Sequence, residues 1–243
     1  MRQSEKIAGI RTLAESASQN FNTIMATILA NSYVIEWEAR DSEKFSRSIT
    51  AIRGAVRRWA GLVQDLCTFV QGPLSQPREI DMNEVLASLV HTLGDELPDS
   101  ISLNIHVSDN LPDVLGDRQQ LLRALMHLGA NARDAMPDGG VLSVLASVVP
   151  GEEVRSRLPG AHADGYLYVA IVDNGEGMDD TTRQRIFDPF YTTKDPGQAT
   201  GLGLAVVHGV VQNHNGFITV GSQLAMGTMV CVYLPAHDAN TAR

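Results

Sequence analysis

The chain of 243 residues is poor in cysteine, in basic residues and in long apolar runs. Its two cysteines, Cys67 and Cys231, lie 164 positions apart without a CxxC pair, which excludes a disulfide framework or structural zinc cluster and is typical of a reducing compartment. Lys and Arg together number 19 against 28 Asp and Glu, a formal net charge of −9. A nucleic-acid-binding surface of clustered basic residues is therefore not expected.

The sequence also has no apolar stretch long enough to predict a signal peptide or a membrane span. Charged residues interrupt the N-terminal 16 positions. The 42 residues between Asp195 and Asp238 contain no Asp, Glu, Lys or Arg, but polar residues divide them into pieces shorter than the roughly 20 apolar residues that a span needs. We expect a soluble, cytoplasmic protein.

Two stretches of helical periodicity predict a helical hairpin over residues 1–73. Apolar residues recur at steps of three and four from Ile7 to Ile35 and again from Phe45 to Val70, and Gly72 with Pro73 ends the second stretch. A lone hairpin leaves much of each apolar stripe exposed, so we expect two copies to form a four-helix bundle as a homodimer. The alternative is a hairpin that packs on its own C-terminal domain without dimerising.

A Pro-containing linker from Leu74 to Pro77 places a domain boundary near residue 76, and helices and strands alternate beyond it. We expect helices at 81–97, 117–136 and 203–213, and strands at 102–107, 141–149, 166–173, 216–220 and 228–234. The segment 151–165 is interpreted as a polar loop. The predicted fold class is α+β: the hairpin (1–73), then a two-layer α/β sandwich with helices on one face of a mixed sheet (77–236), then a tail (237–243).

Three separated segments have the residue types of a nucleotide site. In the first, NARDAM, Asn131 shares a helix face with His127 and Asp134, a pattern that alone is typical of a solvated surface. In the second, VDNGEGM, Asp173 follows a strand and can accept a hydrogen bond from the amino group of a base. Gly175 and Gly177 there let the backbone approach a ligand, although DNG also commonly forms an Asx turn.

The third segment, TGLGL, lies at the start of a helix, where free backbone N–H groups and the helix dipole favour phosphate. It contains Gly201 and Gly203. The preceding run IFDPFYTTK is rich in aromatic residues and is suited to anchoring a flexible lid. Lys194 ends that run, is one of only three lysines, and can reach a phosphate.

The order and spacing of NARDAMPDGG, VDNGEGM, FDPFYTTK, TGLGL and the late Gly227-Thr228 resemble the sensor histidine kinases, whose ATP-binding domain is similar to those of gyrase, the Hsp90-type chaperones and the mismatch-repair ATPases. The resemblance implies ATP and Mg²⁺ as ligands, with Asn131 on the metal and Asp173 on the adenine amino group. It further implies the following positions: Gly175 and Gly177 lining the purine pocket, Gly201, Gly203 and Lys194 near the phosphates, and Thr228 near the base.

The hairpin resembles the family's dimerisation and phosphotransfer module but departs from it at the phosphoacceptor. Where the family has a run such as AHDFNN, this chain reads SQNFNT, with Gln19 in place of the histidine and Asn20 in place of the acidic residue. An amide nitrogen is not a nucleophile, because its lone pair is delocalised into the carbonyl, and Asn20 is no base. All seven histidines follow the hairpin. Autophosphorylation of the hairpin is therefore predicted to be absent, whether Gln19 is natural or introduced.

A second departure is His127, where kinases of this family usually carry Asn and the related hydrolysing ATPases carry a water-activating Glu. We consider His127 a candidate general base for slow ATP hydrolysis, against the alternative that it only replaces Asn on a polar helix face. The sequence predicts a dimeric, histidine-kinase-like signalling protein that binds Mg-ATP and acts by conformation on a response regulator receiver domain or another histidine kinase. Phosphorylation of a partner in trans, ATP hydrolysis and a vestigial ATP site are the alternatives.

Overall fold

The computed structural model describes residues 26–33, 35, 42–70, 76–195 and 199–237. The expectations for Gln19, Asn20, the first part of the hairpin and the ends of its second helix lie outside these residues. The described chain forms two compact units. The helical unit contains the described residues up to Cys67 together with Asp188–Leu202, and the sandwich unit contains the described residues from Thr68 to Phe187 and from Gly203 onward.

The sandwich unit is built on a five-stranded sheet. Its strands, in chain order, are β2 (Ile101–Val107), β4 (Gly140–Pro150), β5 (Gly165–Asp173), β6 (Phe217–Gln223) and β7 (Gly227–Pro235), with β1 (Arg78–Ile80) and β3 (Val114–Gly116) forming a separate pair. The order across the sheet is β2-β4-β5-β7-β6. The β2–β4 pair is parallel and the other pairs are antiparallel, so the sheet is mixed, as the sequence predicts.

Three helices pack on one face of this sheet. They are α2 (Met82–Glu96), α3 (Arg118–Asp134) and α6 (Gly203–Asn213), and their apolar sides join alternate strand residues in one buried core. The strand alternation places Val144, Ile171 and Val230 on the core face, directly paired across β4, β5 and β7. The fold class and the main elements are therefore as predicted, with bounds shifted by one to three residues at most ends.

Four short elements were not expected from the sequence. The segment interpreted as a loop begins with α4 (Gly151–Arg157), which contributes Val154 to a second cluster around Tyr166 on the opposite face of the sheet. The expectation of helices on one face only is thus wrong at this end of the sheet. The others are β1, β3 and α5 (Asp180–Arg185). Elements of three to seven residues are too short to show a helical or strand period.

The last described residue lies against the first strand of the sandwich unit. The backbone N–H of His237 donates to the carbonyl oxygen of Asp113 at 2.8 Å, and its Nε2 lies 3.2 Å from Oε1 of Glu79 on β1. The last described residue therefore lies at the β1–β3 pair.

The described part of the helical unit contains residues 26–33 and the long helix α1 (Ser42–Val70). Its buried cluster joins Ala55 of α1 to Leu202, with Ile28, Trp59 and Phe190 packed around them. The predicted apolar stripe of α1 is only partly covered, since Val56 is 49% and Val63 40% exposed. No helix in the described ranges is long and apolar enough to cross a membrane.

Candidate functional site

The carboxylate of Asp173 ends β5 and is 8% exposed. Its Oδ1 accepts two backbone hydrogen bonds, from the N–H of Gly175 at 2.9 Å and from that of Thr228 at 3.2 Å. Burial raises the pKa of Asp173, while these two bonds act in the opposite direction. Within the described residues no group donates to Oδ2, so this oxygen is available to a donor from a ligand.

The glycines after Asp173 allow a tight approach of three backbone segments. A Cβ on Gly175 would collide with the carbonyl of Ala135 at the end of α3, and the next N–H, of Glu176, donates to that same carbonyl at 3.0 Å. Gly177 has φ +64°, and a Cβ there would collide with the carbonyl of Gln223. The turn after β5 is thus held between the end of α3 and the β6–β7 hairpin.

A row of polar side chains crosses the end of the sheet. Asp173 pairs with Thr228, and Thr228 with Ser222, so all three lie on the core-facing side of β5, β7 and β6. Ser222 Oγ lies 2.9 Å from Oγ1 of Thr228 and 3.0 Å from the carbonyl oxygen of Gly227, and it accepts from the N–H of Met178 at 2.9 Å. The strand register therefore brings the Asp173 and Thr228 of the sequence prediction together.

Helix α3 brings Asn131 and His127 to the same side, as their spacing of four predicts. Asn131 is half-buried, and its backbone carbonyl accepts from the N–H of Ala135 at 3.0 Å, which links it to the segment that holds Gly175. His127 lies against the first residue of α6, because a Cβ built on Gly203 would be 3.3 Å from its Nδ1. The N-terminal end of α6, where a phosphate is favoured, is therefore beside α3.

Two predicted residues belong to the helical unit. Gly201 has φ +66°, and its carbonyl accepts from the N–H of Phe190 at 2.8 Å, which closes the segment between them at its base. The backbone N–H of Lys194 donates to Oγ1 of Thr192 at 3.1 Å. These contacts define the segment locally, and the phosphate role of both residues stays a prediction.

The residues at the site fit a magnesium ion carried by a nucleotide. Among the described residues there is no group of three or more His, Cys, Asp or Glu that could hold a metal ion. Asn131 supplies a hard carboxamide oxygen, and no described residue bonds to its side-chain amide. Mg²⁺ is commonly held by one or two protein oxygens with substrate phosphates and water completing the octahedron.

Sequence reasoning missed two residues that shape this site. Asn174 accepts from the N–H of Val141 at 2.8 Å and so ties the turn after β5 to β4. Ser222 joins the turn at Met178 to Thr228. Asn174 stands inside the quoted VDNGEGM run and was identifiable from it, whereas Ser222 has no local signal, because its partners lie 44 and 6 residues away.

Known proteins match this chain along most of its length. The sensor kinase CckA of Brucella abortus (strain 2308) is 31% identical over 239 residues, 97% of this chain and 25% of that protein. The sensor histidine kinase ZraS of Escherichia coli (strain K12) is 26% identical over 238 residues, 98% of this chain and 48% of that protein. The chain thus spans between a quarter and a half of the length of these two curated relatives.

Solved structures share the fold. Full-length ShkA in complex with AMPPNP has a TM-score of 0.66 at 20% identity, over 93% of this chain and 46% of that one. The Acinetobacter baumannii histidine kinase AdeS has a TM-score of 0.64 at 19% identity, over 90% of this chain and 98% of that one. A family described as "Histidine kinase-, DNA gyrase B-, and HSP90-like ATPase" matches residues 116–238, about half of the chain and the part that carries Asn131, Asp173 and Thr228. The chain belongs to this family of histidine kinase-, DNA gyrase B- and HSP90-like ATPases.

Proposed function

We propose that the sandwich unit binds Mg-ATP with the base at Asp173. The proposal depends on the two oxygens of the Asp173 carboxylate. Oδ1 accepts hydrogen bonds from two backbone N–H groups, so Oδ2 is left to accept from the amino group of adenine. Asn131 supplies the metal oxygen, Gly175 and Gly177 line the base, and Gly203 opens the helix that meets the phosphates. The phosphate contacts that we assign to Lys194 and Gly201 rest on the family resemblance.

We further propose that the bound nucleotide is not used to phosphorylate the chain's own hairpin. Gln19 and Asn20 offer neither a nucleophile nor a base at the acceptor position. In this proposal, ATP acts by shifting the protein between two conformations. The size of that shift is set by the difference in the affinity of ATP for the two conformations. The recipients of such a signal are a receiver domain or a second histidine kinase.

Dimerisation of the hairpin is part of the same proposal. Val56 and Val63 lie on the predicted stripe of α1 and remain 49% and 40% exposed in the single chain. A second copy of the hairpin would cover this stripe in a four-helix bundle. The division into a hairpin (1–73), an ATP-binding domain (77–236) and a tail remains part of the proposal.

Nucleotide binding is tested by titrating the full chain with Mg-ATP in a calorimeter. Asp173→Asn keeps the shape of the side chain and one oxygen for the two backbone donors, but it presents an NH₂ group to the base in place of the acceptor. We expect the dissociation constant for ATP to rise about a hundredfold, as loss of a charged hydrogen bond and a clash of donors imply. Asp109→Asn, an exposed change outside the site, is the matched control. Equal ATP affinity for Asp173→Asn and wild type would refute the site.

The missing acceptor is tested by restoring it. Wild type, Gln19→His and Gln19→His with Asn20→Asp are incubated with γ-labelled Mg-ATP, and acid-labile, base-stable label is measured on the chain. We expect no label on wild type and label on the double variant, because it recreates the imidazole with its adjacent carboxylate. Adding Asp173→Asn to the double variant serves as the control and should abolish the label. Acid-labile label on wild type would contradict the proposal.

One observation favours slow hydrolysis as a second candidate function. The ring of His127 lies beside Gly203 at the start of α6, next to the proposed phosphate position, where a general base can activate water. Phosphate release by wild type and His127→Ala is the test. Equal rates would remove the assignment of His127 as a base.

A further inference from the structure

The hydroxyl of Ser222 contacts both the turn after β5, at Met178, and the hydroxyl of Thr228. Ser222 Oγ is within hydrogen-bond distance of three groups: the N–H of Met178 at 2.9 Å, the carbonyl oxygen of Gly227 at 3.0 Å and Oγ1 of Thr228 at 2.9 Å. A serine hydroxyl has one proton and two acceptor lone pairs. The chemistry of the three partners therefore fixes where that proton goes.

The carbonyl of Gly227 can only accept, so it takes the proton of Ser222. The N–H of Met178 can only donate, so it takes one lone pair of Ser222 Oγ. Thr228 then completes the set by donating its own hydroxyl proton to the remaining lone pair. If Ser222 instead donated to Thr228, the Ser222 and Gly227 oxygens would face each other at 3.0 Å with no proton between them, which is unfavourable.

We infer that Ser222 is a specificity-determining positioning residue, which holds the Thr228 hydroxyl as a hydrogen-bond acceptor toward the purine. The inference rests on the proposed ATP site. The backbone N–H of Thr228 donates to Oδ1 of Asp173 at 3.2 Å, so the two side chains are neighbours. With its hydroxyl proton turned toward Ser222, Thr228 presents the lone pairs of its oxygen beside the Asp173 carboxylate. Both side chains then offer acceptors only. Such a pair matches the 6-amino group of adenine and disfavours the 6-oxo group of hypoxanthine or guanine.

The test compares Mg-ATP with Mg-ITP, whose base carries a 6-oxo group, by calorimetry on the full chain. In Ser222→Ala the Thr228 proton is free to turn and donate to the 6-oxo oxygen. We expect the ratio of the ITP to the ATP dissociation constant to fall about tenfold from its wild-type value, the effect of one hydrogen bond. Because both nucleotides are measured on the same protein, a loss of folded material affects the two constants alike.

Three further variants give this test its controls. Ser222→Thr keeps the hydroxyl and should retain the wild-type ratio. Ser147→Ala removes a half-buried serine whose strand position places it on the opposite face of the sheet, and it should change nothing. In a Thr228→Val background, Ser222→Ala should have no further effect on the ratio, because the hydroxyl through which it acts is gone.

The outcomes separate this inference from the proposed function. If wild type binds neither nucleotide, the proposed ATP site itself is refuted. If wild type prefers ATP and Ser222→Ala keeps the same preference, or if Ser222→Thr loses it, only the role of Ser222 is overturned. A wild type that binds ATP and ITP equally also overturns it, since there is then no discrimination for Ser222 to set.

Discussion

The sandwich unit and the helical unit differ in the size of the buried apolar core that the single chain forms. In the sandwich unit, Leu89 of α2 and Leu142 of β4 are 0% exposed within a core shared by three helices and five strands. In the described part of the helical unit, the buried cluster contains only Ala55 and Leu202 with three partners, and Leu29, Val56 and Val63 are 40 to 50% exposed. Both units have exposed apolar side chains, up to 69% for Met226 in the sandwich unit, but only the sandwich unit has a large buried core within one chain.

The two parts of the chain also differ in the chemical groups that the family resemblance predicts for them. The polar residues of the sandwich unit are fixed by backbone contacts, as the two N–H groups on Asp173 show. The hairpin instead has an amide where a phosphoacceptor is expected from the family resemblance.

The largest expected effect tests the difference in cores. Leu89→Ala removes a fully buried side chain of the sandwich unit and should lower the free energy of unfolding by about 3 kcal/mol. Leu29→Ala in the helical unit, where the side chain is 50% exposed, should lower it by no more than about 0.5 kcal/mol. Chemical denaturation followed by circular dichroism measures both. Similar losses for the two variants would erase the contrast.

The next effect tests how tightly the backbone is packed at the site. Gly227 has φ +86°, and a Cβ there would collide with the carbonyl of Asp173. Gly227→Ala should therefore lower the free energy of unfolding by about 2 kcal/mol and weaken ATP binding. Gly221 lies on the neighbouring strand with open space around its Cβ position, so Gly221→Ala is the matched control and should change ATP affinity little. If Gly227→Ala left both the free energy of unfolding and the ATP affinity unchanged, the turn would be able to accommodate the added Cβ.

The third effect tests the exposed stripe of α1. Val63→Glu places a charge where a second hairpin would pack, and it should raise the dissociation constant of the dimer by about tenfold or more. Thr50→Glu adds the same charge at an exposed position of α1 that lies roughly 120–140° around the helix from Val56 and Val63, and it should have less effect. Light scattering after size-exclusion chromatography measures association, and ATP titration checks that the sandwich unit is intact. A dimer insensitive to Val63→Glu would place the interface elsewhere.

The smallest effect is a pH dependence within the sandwich unit. Buried His214 accepts from the N–H of Asp117 at its Nε2 (3.0 Å), and its Nδ1 lies 2.7 Å from the carbonyl oxygen of Val210. Burial lowers its pKa from 6.5, against the opposing influence of the Val210 carbonyl and of Asp117. The unfolded chain therefore takes up the proton first, and stability should decrease as the pH falls below about 6.5.

Denaturation midpoints between pH 7.5 and 5 measure this slope in wild type and in His214→Gln. The variant should show a shallower slope but not a flat one, because burial also lowers the pKa of His208 and that residue remains. An unchanged slope would remove His214 as its source.

Sequence reasoning was strongest where a signal is local or repeated. The predicted helix starts at 81 and 117 coincide with the N-cap residues of α2 and α3, Asp81 and Asp117, whose side chains accept from N–H groups two or three residues ahead. The alternation of β4 and β5 likewise follows from their apolar residues. These signals were enough to predict the layers and to place Asp173 at the end of a strand.

The remaining features depend on contacts distant in sequence. Ser222 acquires its role from the register of three strands, and β1 is too short to have a pattern of its own. The helix α4 packs on Tyr166 through Val154, and composition does not predict this contact. Such features are set by tertiary context, which overrides weak local preference.

The contact between Glu79 and His237 has a practical consequence for engineering. Because the first strand and the last described residue of the sandwich unit lie 3.2 Å apart at their side chains, a short peptide can bridge them. The unit is therefore suited to circular permutation, with new ends opened in an exposed turn, and to insertion as a nucleotide-sensing cassette within a host protein. A reporter fused after His237 would emerge beside β1.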